Sequence, residues 1–154
     1  MAAWAHLLGA TLQTKTQGDV AVEHELAGKT VVGLYFSALW CSPCQEFTPV
    51  LTATYDKVKS AHPDFELVYV SSDQSQDQFD EAYAKLPFPA LPFADRRLKA
   101  ALVERFNVPW VPFVVFLNAD GEVIERDGRR RVVSARSPEA LWTELTTPRS
   151  SANA

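Results

Sequence analysis

The run Val31-Val32-Gly33-Leu34-Tyr35-Phe36 carries no charged side chain. An unbroken apolar stretch of this length suits a strand buried on both faces, and such a strand needs a layer of cover on each side. Immediately after it stands Trp40-Cys41-Ser42-Pro43-Cys44. A helix is then expected from about Ser42 to Ala61, because Phe47, Leu51, Tyr55 and Val58 recur along one face, with Pro49 kinking it. Cys41 and Cys44 are the only cysteines among 154 residues, of which 47% are hydrophobic. The chain is long enough for one domain with a real core.

Further elements follow from local pattern. Thr11-Leu12-Gln13-Thr14 and Val20-Ala21-Val22-Glu23 flank a Gln17-Gly18-Asp19 turn and predict an N-terminal β-hairpin. Phe65 to Val70 reads as the next strand, and Ser75 to Leu86 as a helix with Ser75 at its cap. Pro87, Pro89 and Pro92 impose a loop, and Asp95 to Phe106 reads as a short helix. Val111 to Leu117 is a third apolar strand, turned by Asn118-Ala119-Asp120-Gly121 into Glu122-Val123-Ile124. Arg129 to Val133 is expected to pair there as an edge strand, with a helix from Pro138 to Leu145. This makes an α/β domain over about residues 1–146, with helices on both sheet faces and a frayed tail over 147–154.

The totals exclude several classes. The formal net charge of −4 leaves no basic footprint for nucleic acid. No apolar run reaches the roughly 18 residues of a membrane span. Met1 to His6 has no charged segment leading into a long apolar core, so no export signal is expected and a reducing cytoplasm is. In such a compartment two paired cysteines point to catalysis or metal binding. Structural zinc takes four ligands; His6, His24 and His62 are scattered, and no metal is expected. No Gly-rich dinucleotide fingerprint follows a strand, so no organic cofactor is implied.

A Cys-x-x-Cys pair between an apolar strand and a helix points to thiol–disulfide exchange, against zinc binding or a pair of inert buried thiols. The thiolate is the nucleophile, and Cys41 at the helix start has unpaired N–H groups and the helix dipole to favour a negative sulfur. Cys44, a turn further in and less exposed, would resolve the mixed disulfide. Pro43 suits an early helical position. Val111-Pro112 opens a buried strand, where a cis bond would account for the proline; Pro109 is close enough that the residues alone leave the choice open. Opposite Cys41, the Val111 backbone would be free to pair with an extended substrate.

In order and spacing, the stretches Tyr35-Phe36-Ser37-Ala38-Leu39-Trp40-Cys41, Phe47-Thr48-Pro49, Val70-Ser71-Ser72-Asp73, Leu91-Pro92-Phe93-Ala94-Asp95-Arg96, Phe106-Asn107-Val108 through Val111-Pro112, and Asp120-Gly121-Glu122-Val123-Ile124 resemble the tryparedoxin and nucleoredoxin branch of the thioredoxin superfamily. The resemblance implies a thioredoxin-like fold with a central mixed sheet, Cys41 as nucleophile, Cys44 as resolving thiol and Pro112 as the cis proline. It implies a monomeric protein-disulfide reductase that takes electrons from a low-molecular-weight dithiol such as trypanothione and passes them to disulfide-bearing proteins such as peroxiredoxins. A nucleoredoxin-like, redox-switched binding protein is the alternative. The chain departs from the branch at Ser42, where tryparedoxins have proline, and at Ser72, where they have tryptophan. Leu86-Pro87-Phe88 stands for a Met-Pro-Trp segment, and Pro109-Trp110 for a polar pair. Tyr35 replaces the buried aspartate of many thioredoxins, so no buried carboxylate is evident.

Other side chains carry two readings each. Trp40 either packs or shields Cys41 and meets partners. Tyr35 is a core aromatic or brings its hydroxyl to the thiol. Asp73 is a solvated loop carboxylate or pairs with a cationic substrate. Arg129 aligns with a family arginine near the substrate groove, against a plain solvated strand over Arg129 to Arg131.

Overall fold

The structure, a computed structural model, describes residues 4–148. Its centre is a four-stranded sheet built from β3 (Val31–Ser37), β4 (Phe65–Ser71), β5 (Phe113–Asn118) and β6 (Val123–Glu125), in the order β4-β3-β5-β6. β3 pairs parallel with β4 and antiparallel with β5, so the sheet is mixed. β5 and β6 pair antiparallel around the turn. Every residue of β3 and β4 is buried, as the apolar runs require.

Strand alternation sorts the core into two layers. Val31 and Tyr35 of β3, with Phe65 and Tyr69 of β4 and Val114 and Phe116 of β5, face α3 (Ser42–Ala61), α4 (Gln76–Tyr83), α6 (Gly128–Ser134) and α7 (Pro138–Thr146). Val32, Leu34 and Phe36 face the other way, onto α1 (Trp4–Leu8), α2 (Val22–Leu26) and α5 (Arg96–Arg105). Gly33 belongs to the first face. A Cβ there would stand 2.5 Å from Leu67 Cδ2 and 3.0 Å from Phe116, so its absence lets those side chains meet across β3.

The hairpin forms from β1 (Thr11–Gln13) and β2 (Asp19–Ala21), and Gly18 takes a positive φ of 67° in its turn. Bridges from Gln13 and Tyr69 to Ala90 tie it to the β4 edge. The second strand stops earlier than expected. Val22 and Leu26 are one helical turn apart and both fully buried, so burial favours a helix over a longer strand. α1, too short for a clear period, has no counterpart in the sequence reading.

Arg129 to Val133 is not an edge strand but part of α6. Gly128 and Val132, at i and i+4, turn inward; Arg130 pairs with Asp127, and Arg131 with Glu125 and Glu144. A Cβ on Gly128 would stand 2.7 Å from the Val114 carbonyl oxygen, so glycine permits this close approach of α6 to β5. α7 ends at Thr146; of the expected tail, 149–154 lie outside the described residues.

Candidate redox site

The site forms where β3 ends and α3 begins. Cys41 occupies the N-cap position of α3 in extended conformation, and Ser42 and Pro43 are its first two residues. Cys41 and Cys44 are joined as a disulfide with their Cα atoms 5.2 Å apart. The Cys44 amide donates to Cys41 Sγ at 3.2 Å. One of the orphan N–H groups of the helix start thus points at the sulfur that would carry negative charge in the dithiol form. Cys44 is 1% exposed and Cys41 5% exposed, while Ser42 and Pro43 are open to solvent.

Across from the disulfide lies the loop into β5. The Val111–Pro112 peptide bond is cis, the only one among the described residues. Cys41 Sγ is 3.6 Å from the Val111 carbonyl oxygen, within the reach an S–H···O bond would need once the disulfide is reduced. Val111 packs against Ala38, Cys41 and Cys44, and Pro112 is buried.

The turn that presents Cys41 is held from below. Asp73 is 5% exposed, and its carboxylate faces inward. Its Oδ1 accepts the Leu39 amide at 2.6 Å; its Oδ2 accepts the hydroxyls of Tyr69 and Ser71. Burial and this carboxylate together push the Tyr69 hydroxyl pKa up, keeping it a donor. The Trp40 indole N–H donates to the Ser72 carbonyl at 2.9 Å, and Gln45 Nε2 donates to the Leu39 carbonyl at 2.6 Å. Arg96, stacked on Phe93, donates to the Ser71 carbonyl at 2.8 Å.

These contacts change two readings. Asp73 is neither a solvated carboxylate nor open to a cationic substrate, since its oxygens are taken up by internal donors. A buried carboxylate does exist beside the site, supplied from the β4 end rather than from position 35. Tyr35 is a core aromatic whose hydroxyl pairs with Thr48 at 2.7 Å, not with a thiol. Arg129 is half-buried on α6, its guanidinium 5.8 Å from the Phe47 ring centroid, on the flank of α3. Trp40 is 53% exposed despite its tether. The sequence does not mark Leu39, Gln45, Tyr69 or Arg96 as parts of this tether; its one usable signal is Ser71 two residues before Asp73, a spacing that favours local side-chain bonding.

Among the described residues no group of His, Cys, Asp and Glu could hold a metal. No helix there is long and apolar enough to cross a membrane. Beside the site, a cleft of about 410 Å³ opens between the Ser37–Leu39 turn, α3 and Lys85.

A mixed sheet that delivers a Cys-x-x-Cys disulfide to a helix start, facing a cis-proline loop, defines a dithiol–disulfide protein. The thioredoxin-like family model matches residues 28–123, and the chain belongs to that family, in the branch of tryparedoxins and nucleoredoxins. It is 42% identical over 129 residues to the tryparedoxin of Trypanosoma brucei brucei, covering 83% of this chain and 88% of that one. It is 41% identical over 127 residues to probable nucleoredoxin 1 of Arabidopsis thaliana, covering 82% of this chain but only 22% of that protein. A solved tryparedoxin II complexed with glutathionylspermidine superposes with a TM-score of 0.77 at 37% identity, over 85% of this chain and 88% of that one.

Proposed function

We propose that this chain is a protein-disulfide reductase of tryparedoxin type. The observation that carries it is the Cys41–Cys44 disulfide at the N-terminus of α3, with Cys41 Sγ against the Val111 carbonyl. In the dithiol form, the Cys41 thiolate attacks a partner disulfide and expels one partner thiolate. Cys44 then attacks Cys41 Sγ, releases the second partner thiol and restores the intramolecular disulfide. Two electrons pass to the partner, and a small dithiol returns them. Ser42, Pro43, Trp40 and Val111 form the surface around the exchange, with the cis Pro112 buried next to Val111 and Arg129 at the flank for a carboxylate-bearing dithiol.

Trypanothione is the donor this reading favours, supported by a tryparedoxin relative solved with glutathionylspermidine. Peroxidase disulfides are the acceptors, residues 1–146 the working domain, the monomer the working unit and a reducing cytoplasm its setting. The test is insulin-disulfide reduction with dithiothreitol, glutathione, or trypanothione plus its reductase as electron source. Turnover with trypanothione well above that with glutathione is expected. Turnover with dithiothreitol alone would keep the exchange chemistry and overturn the donor.

A second reading, a redox-switched binding module, draws on the exposed Trp110 and on the nucleoredoxin relatives, of whose length the chain spans less than a third. Partner affinity that follows the redox state of Cys41–Cys44, without turnover, would favour it.

A further inference from the structure

Five large apolar side chains stand exposed among the described residues: Trp40, Val50, Trp110, Val123 and Val133. The two tryptophans are the largest, and each is the immediate neighbour of a partner in the Cys41–Val111 contact. Trp110 is the most exposed of the five, at 65%. Its indole makes no hydrogen bond or ring contact within the described chain, so intramolecular packing does not account for it. Trp40 is open at 53%, but its N–H is fixed to the Ser72 carbonyl, which sets the ring in place. Tryptophan is among the residue types enriched at the anchoring positions of protein interfaces.

The charge pattern narrows the occupant. The exposed residues adjoining Cys41 and Val111, namely Trp40, Ser42, Pro43, Pro109 and Trp110, are all uncharged. These five residues supply no counter-ion for a charged segment, Arg129 standing apart against Phe47 on the α3 flank, and they give an apolar side chain two aromatic surfaces. Val111 lies outside β5, and its N–H has no partner among the described residues, so it can donate one backbone hydrogen bond to a carbonyl of an extended chain.

We infer that Trp110 and Trp40 select the protein partner. The substrate is a disulfide in an extended segment whose cysteine is flanked by apolar side chains, and Trp110 is the specificity-determining residue that reads the flank. The inference rests on the oxidoreductase reading and names the acceptor class for the same site.

The test uses the full chain, reduced and freed of reductant, in single turnover. The probes are two eight-residue peptides, each carrying one cysteine as a mixed disulfide with 2-nitro-5-thiobenzoate. One has leucine on both sides of the cysteine, the other glutamate. Cys41 attacks the peptide sulfur, and the released thiobenzoate anion is followed by its absorbance. Cys44 then frees the peptide thiol and closes the Cys41–Cys44 disulfide.

Wild type is expected to react roughly tenfold faster with the leucine peptide, in line with an interface anchor. Trp110→Ala is expected to bring the ratio of the two rates near one, and Trp110→Phe to keep most of it. General structural damage would slow both peptides and leave the ratio unchanged. A reactive wild type without the preference, or a Trp110→Ala variant that keeps it, overturns the inference alone. A wild type inert toward both peptides overturns the oxidoreductase reading beneath it.

Discussion

At the scale of single residues, the turn that carries Cys41 depends on a buried carboxylate bonded only to internal donors. Asp73 receives the Leu39 amide and two hydroxyls in a nearly water-free setting. Removing it strands those donors, and a buried donor without a partner costs about 1–3 kcal/mol. Asp73→Ala is therefore expected to lose about 3 kcal/mol of stability by chemical denaturation. Asp73→Asn should lose less, because its amide oxygen can still accept from Leu39 while the hydroxyls turn to accept from its NH2 group. Equal stability of Asp73→Ala and wild type would show that the tether does not hold the turn. Asp73 was noticed in the sequence, but its environment was not legible there. Burial depends on how the β4 end meets the β3 end, and no local pattern around Ser71-Ser72-Asp73 encodes that meeting.

At the scale of elements, the sheet and its principal helices were legible because each carried a clear period or a cap. The continuous apolar runs of β3 and β4, the i, i+4 spacing of Phe47, Leu51 and Tyr55, and Ser75 accepting the Gln78 amide at 3.1 Å all follow local rules. The misread segments are those where tertiary contact outweighs pattern. Arg129 to Val133 has too few apolar residues to show its period, and its helix is set by Gly128 lying against β5 and by ion pairs to Glu125 and Glu144. Gly128→Ala is expected to force α6 off β5, costing about 1–3 kcal/mol as overpacking does. A melting temperature equal to that of wild type would show that the contact has slack.

At the scale of the whole molecule, two helical layers bury both sheet faces, and the exchange site opens where β3 meets α3 and the loop into β5. The fold thus holds one sulfur at the surface side of a helix N-terminus and the other one turn deeper. We propose that this placement divides the labour, Cys41 attacking and Cys44 resolving. The most direct test of that division is to mix reduced Cys44→Ser with insulin, then identify the cross-linked species by nonreducing electrophoresis and peptide mass mapping. A stable mixed disulfide through Cys41 is expected, and none from Cys41→Ser under the same conditions. An adduct formed by Cys41→Ser through Cys44, with none from Cys44→Ser, would contradict it.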